Sequence, residues 1–198
     1  MRRWILAICT LFVLGACSAP SVWSSDEVMA KAAYRHNGPN RLTLFTMINN
    51  STGAGRHSAL MINGSQRVIF DPAGTFQHPQ VPEQNDVIFG ITPQIEDGYT
   101  RYHARETFHV QIQQVDVSAQ VAEMALRAVK SYGIVPPGKC AISTSTVLSK
   151  IPGFQHINPT WYPGKLAAQF AKIPGVTSRT LYEYDSDDNS KVLADWNP

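Results

Sequence analysis

His57-Ser-Ala-Leu-Met-Ile-Asn-Gly-Ser-Gln-Arg-Val-Ile-Phe-Asp71 is the stretch from which the fold is read. Two runs rich in β-favouring residues, 57–62 and 67–71, flank Asn63-Gly64, a dipeptide that suits a tight hairpin turn. Pro72 lacks the N–H that would continue the ladder, so the second run stops at Asp71. The hairpin carries a histidine where it opens and a carboxylate where it closes. Its loop length decides whether they meet. A two-residue turn at Asn63-Gly64 sets His57 opposite Phe70 and sends Asp71 to the other face, whereas a three-residue loop, 63–65, sets His57 opposite Asp71.

Outward from the hairpin, the alternating segment 42–48 and the segment 86–91 read as strands. The β-branched and aromatic residues of 99–115 predict two more strands or one long bent one. The intervening 73–84, broken by Pro79 and Pro82, reads as irregular. After Val115 the apolar period lengthens: Val117, Val121, Met124, Ala125, Ala128, Val129 and Tyr132 recur at three- and four-residue steps, predicting a helix over 117–132. Further helices are expected at 140–151, behind Pro136-Pro137-Gly138, and at 164–173, behind Pro163. Strands followed by helices predict an α+β fold, one antiparallel sheet packed against helices.

The N-terminus carries a separate message. Arg2-Arg3 precedes an apolar run, Trp4 to Leu14, that is too short to span a bilayer and suits a secretory signal. The run ends in Leu14-Gly15-Ala16-Cys17, which resembles a bacterial lipobox; residues 1–16 are then a lipoprotein signal peptide and Cys17 the acylated N-terminus of a tether, 17–40, leading into a single domain, 41–198. Ser18 after the cysteine implies, by the same resemblance, an outer-membrane location facing the periplasm. Of 17 basic and 15 acidic residues, Arg2 and Arg3 leave with the signal, so the mature chain carries 15 of each and has no basic excess for nucleic acid.

Cys9 also leaves with the signal and Cys17 is acylated, so Cys140 is left as a lone thiol in an oxidising compartment, either deeply buried or chemically employed. It stands at the start of an expected helix, where backbone N–H groups and the helix dipole favour thiolate over thiol. A histidine beside it would take the proton, and a carboxylate on the other imidazole nitrogen would fix the tautomer. The Cys140 backbone N–H is placed to receive an oxyanion.

The hairpin 57–71 resembles the histidine-bearing hairpin of the NlpC/P60 papain-like enzymes. Gly138-Lys-Cys140-Ala-Ile-Ser-Thr-Ser-Thr-Val-Leu148 resembles their cysteine helix, here placed after the sheet as in the circularly permuted branch. The resemblance spans about 42–173 and implies a permuted papain-like fold with Cys140 as nucleophile, His57 as base and Asp71 as orienting residue, working without a cofactor or metal. It implies a periplasmic hydrolase cleaving an amide or ester, with peptidoglycan peptides or acyl-lipids as accessible substrates. An acyltransferase on the same fold and a non-enzymatic envelope lipoprotein with an inert Cys140 stand as alternatives.

Other residues read more plainly. His103 and His109 fit two strand histidines without a third metal ligand. His36, His78 and His156 fit solvated loops. Asp185, Asp187 and Asn189 mimic the start of a calcium loop but lack its glycine and glutamate, so they read as a solvated acidic tail. Trp161 and Tyr162 fit either a substrate groove or packing beside prolines.

Overall fold

A computed structural model describes residues 24–189; the signal, Cys9 and Cys17 lie outside the described residues. The described residues are mixed α/β: a seven-stranded antiparallel sheet and five helices. Strand β1 (Arg41–Asn49) is central, paired with β2 (Gly55–Asn63) on one side and β6 (Phe108–Asp116) on the other. Beyond β2 lie β3 (Arg67–Phe70), β5 (Val87–Ile88) and β4 (Glu83–Gln84), and beyond β6 lies β7 (Thr177–Leu181).

The expected hairpin is β2–β3, with Asn63 paired to Arg67 and Leu60 to Phe70. Its loop has three residues, 64–66, one position later than expected. Glu123 Oε1 takes the Ser65 N–H at 2.6 Å and would lie 2.8 Å from any Cβ at Gly64, which is why glycine suits that position. Continued beyond Phe70, this register brings Asp71 opposite Ala59, so Asp71 shares a face with His57 although it does not stand directly across from it.

Alternation divides the core between the two faces of the sheet. Leu42, Leu44, Leu60, Ile62, Val68 and Phe70 pack beneath α3 (Ala119–Lys130), α4 (Cys140–Ser149) and α5 (Pro163–Phe170), which correspond to the three expected helices. Phe45, Met47, Ala59, Met61 and Ile69 face the other way, onto α2 (Pro93–His103). Both faces being covered, β1 is buried almost without interruption.

Helix α2 corrects the strand reading of 99–115, whose strand begins only at Phe108. Thr92 caps it through a 3.1 Å bond from Ile95 N–H, and Pro93 occupies its first turn. Ile95, Tyr99 and Tyr102 then fall on one apolar stripe; Gly98 and the β-favouring Tyr-Thr-x-Tyr obscure that period. The strand expected over 86–91 is cut to Val87–Ile88 because Asn85 (φ 52°) and Asp86 (φ 58°) form the positive-φ turn of a two-residue hairpin with β4, inside the segment read as irregular. β7 was not anticipated; it is an exposed edge strand whose side chains contribute little to the core. Within 17–40, Asp26-Glu27 open the short helix α1 (Asp26–Ala32), capped by Ser25, and Ser24 N–H bonds Glu83 O at 3.0 Å.

Helix α2 is held to the sheet by Arg67 of β3, ion-paired to Glu96. Arg67 is buried; the pair is made through its Nη2, and its Nε and Nη1 have no hydrogen-bond partner among the described residues. Glu96→Gln should therefore destabilise the fold by about 3–5 kcal/mol, because it strands a buried charge, whereas Thr92→Ala should cost about 1 kcal/mol, the worth of a cap. Urea unfolding of the two variants checks that order.

Candidate functional site

Strand β3 stops at Phe70 while β2 runs on, so the outer edge of β2 around His57–Ala59 has no strand neighbour on that side. Asp71-Pro72-Ala73-Gly74 turns away there, with Gly74 N–H on Asp71 O at 2.9 Å and Ala73 at φ 57°. The first turn of α4 fills the gap. Pro136-Pro137-Gly138-Lys139 delivers it through a turn closed by Lys139 N–H on Pro136 O at 3.3 Å, with Gly138 at φ 79°. Lys139 offers no side-chain cap, so the first N–H groups of α4 are left for what lies in front of them.

In front of them lies the Cys140 sulfur. The backbone N–H groups of Ala141 and of Ser58, the residue on the open edge of β2, and the His57 imidazole all interact with it and favour its thiolate. The thiol is free and buried. Burial raises its pKa, but the bond and charge of His57 and the two N–H groups outweigh burial and hold it below the ordinary thiol value.

The other side of the imidazole meets Asp71: Nε2 lies 2.6 Å from Oδ1. With Nε2–H donating to the carboxylate, Nδ1 is the nitrogen left for the sulfur. Asp71 is buried, 2% exposed, and its Oδ1 also accepts from Tyr99 Oη at 2.9 Å. Burial works against its charge, but His57, His103 and the Tyr99 hydroxyl keep its pKa below the usual carboxylate value. For His57 burial disfavours the cation, and attraction to Asp71 and Cys140 overrides it, raising the pKa to about 10. Gly74 has to be glycine here, since a Cβ would sit 1.9 Å from Asp71 Oδ2.

Three residues that the sequence reading did not assign to the site complete it. Tyr99, from α2, holds Asp71. His103, one turn on, stacks on His57 with ring centroids 6.0 Å apart and planes 14° apart. Its Nδ1 donates to Tyr99 O at 2.9 Å, and burial, reinforced by His57, lowers its pKa to about 4. Glu83 stands nearby with its pKa raised to about 7, by burial first and then by Asp71 and Asp86. The signal for Tyr99 and His103 was their four-residue spacing, legible only once 93–103 is read as helix. His103 and His109 therefore do not form a strand pair: His109 lies on β6, with Nδ1 2.6 Å from Asn50 Oδ1. The acidic tail is likewise bound, with Asp187 Oδ1 on Thr107 N–H at 3.1 Å and Asn189 Oδ1 on Arg105 Nε at 2.9 Å.

The arrangement can generate a thiolate, hold the imidazolium beside it and keep a buried counter-charge behind that. No family model, no curated protein and no solved structure matches the chain.

A raised histidine pKa contributes stability fully present below about pH 6.5, the ordinary value, and lost as pH rises through about 10. The depressed Asp71 pKa works at the other end, its stability being lost as pH falls through the folded value. Asp71→Asn should bring the His57 pKa down from about 10 and remove that alkaline loss of stability. Histidine ring titration by NMR and thermal melts between neutral and alkaline pH check both.

Proposed function

We propose that the chain is a lipid-anchored cysteine hydrolase of the permuted NlpC/P60-like, papain-like class, cleaving an amide or ester through a thioester. The observation that carries this reading is the continuous chain of contacts from the Cys140 sulfur to His57 and from His57 Nε2 to buried Asp71 at 2.6 Å. The order along the chain, His57, Asp71, then Cys140, is that of the permuted branch it resembles, and α4 begins at the cysteine as that class requires.

The chemistry follows from the charges. The Cys140 thiolate attacks the carbonyl carbon, and the carbonyl oxygen becomes an oxyanion facing the α4 N-terminus, where the Cys140 backbone N–H has no carbonyl one turn earlier in the helix. The His57 imidazolium gives its proton to the leaving nitrogen or oxygen as the tetrahedral carbon collapses to a thioester. Neutral imidazole then takes a proton from water, whose oxygen attacks the thioester and restores the thiolate. Asp71, fixed by Tyr99, holds the ring in the needed tautomer throughout. Trp161 is 57% exposed, and its ring lies 6.0 Å from the Nζ of Lys139, the residue before the cysteine. Peptidoglycan peptides or acyl-lipids are the periplasmic substrates this class of chemistry fits.

Cys140→Ser should lower turnover of a p-nitrophenyl ester or of isolated peptidoglycan peptides by at least about a thousandfold, with His57→Ala costing about as much because the two act as a unit. Asp71→Asn should cost less, since an amide still orients the ring. Full activity in Cys140→Ser would leave a binding lipoprotein, and a product carrying an added amine in place of free acid would make the enzyme an acyltransferase.

The anchor is a separate proposal, resting on Leu14-Gly15-Ala16-Cys17. Labelled palmitate should enter the wild type and be absent from Cys17→Ala, which should be released from the membrane or fail to mature. Each buried methylene contributes about 0.8 kcal/mol, so the several chains of a lipoprotein hold firmly.

A further inference from the structure

We propose that the cavity of about 360 Å³ beside His57 binds a carboxylate on the leaving-group side of the substrate, and that Arg56 is the residue that recognises it; this rests on reading Cys140 and His57 as nucleophile and base.

The placement of Arg56 is the first argument. Pairing between β1 and β2 slips here, Met47 opposing His57 and Ile48 opposing Gly55, so Arg56 is the extra residue of a β-bulge. In a regular strand Arg56 and His57 would point to opposite faces. A bulge re-aims the side chain, and both residues line the same cavity.

Charge is the second argument. The charged and histidine side chains lining the cavity are Arg56, His57, His103, Arg105 and Asp187. The Arg105 guanidinium is engaged by Asn189 Oδ1 at 2.9 Å and Asp185 Oδ2 at 3.4 Å. The Asp187 carboxylate is held by the N–H and hydroxyl of Thr107. His57 is balanced by Asp71 and the thiolate, and His103, its pKa lowered to about 4, is neutral at physiological pH. Arg56 alone has neither ion pair nor hydrogen bond among the described residues. One uncompensated cation matches one carboxylate, whereas a phosphate dianion would bring a second negative charge with no free cation to match it.

Mechanism supplies the third. The imidazole that protonates the leaving atom must lie within hydrogen-bond reach of it, so the leaving group departs on the His57 side, and this cavity opens on that side. Met47, Tyr102 and Phe108 give it apolar walls around the charged end. The ligand class is a small amine or alcohol carrying a free carboxylate, as an amino acid or a C-terminal residue released from a peptide would be.

Iodoacetate and iodoacetamide differ by that carboxylate and both alkylate Cys140, so their rate ratio reads the cavity without needing the natural substrate. At low ionic strength and mildly acidic pH, Arg56→Gln should lower the iodoacetate-to-iodoacetamide ratio about five- to tenfold, and Arg56→Lys should recover most of it. Arg127→Gln removes the same charge from α3, on the other face of the sheet, and should keep the wild-type ratio. A ratio unchanged in Arg56→Gln, or lowered equally in Arg127→Gln, overturns the proposal while leaving the cysteine hydrolase intact. A Cys140 that iodoacetamide does not alkylate overturns the hydrolase reading and this one with it.

Discussion

The early end of β3 is the constraint on which the rest of the site depends. Were β3 to pair with β2 past Phe70, its backbone would occupy the place where the first turn of α4 now lies, and the Ser58 N–H would be spent on a strand. Asp71-Pro72 ends the ladder at that point, and the same turn swings the Asp71 carboxylate behind His57. One break in a ladder thus places Cys140, His57 and Asp71 around a single strand edge.

Burying that many charges is unfavourable unless each is satisfied, since an ion taken out of water and left alone costs several kcal/mol. Here every member has partners: the sulfur has His57 and two N–H groups, His57 has Asp71, and Asp71 has Tyr99. The low dielectric that makes such a network expensive also strengthens each contact within it. His103 fits the same logic, because a neutral ring can stack on His57 where a second imidazolium would repel it.

The two faces of the sheet divide the work. Helix α4 comes from the layer formed by α3, α4 and α5, whereas Tyr99 and His103 come from α2 on the opposite face. The sheet edge is where the two layers meet, so the site depends on both cores and on the Arg67–Glu96 pair that ties α2 to β3. The bonds of Asp187 and Asn189 to Thr107 and Arg105 close one side of the neighbouring cavity and fix the position of its charges.

Much of this was legible from residue order. The β2–β3 hairpin, β1, β6 from Phe108 on and the helices α3, α4 and α5 follow from local period, Asn-Gly and proline, because those signals act over a few residues of chain. Cys140, His57 and Asp71 could be singled out as a set by residue type and position in their elements. The hairpin register could not: a three-residue loop at 64–66 in place of 63–65 changes which residues face each other, and the contact of Glu123 with that loop comes from a helix nearly sixty residues away. Helix α2 was missed because Gly98 and the β-favouring Tyr99, Thr100 and Tyr102 speak locally against it, and only burial of one face against the sheet outweighs them. With α2 unseen, Tyr99 and His103 could not be placed behind Asp71 and His57. The bulge at Arg56 and the binding of Asp185, Asp187 and Asn189 to Arg105 and Thr107 belong to the same category: their partners are remote in sequence, and pairing across such distances is decided when the sheet and its two layers close together.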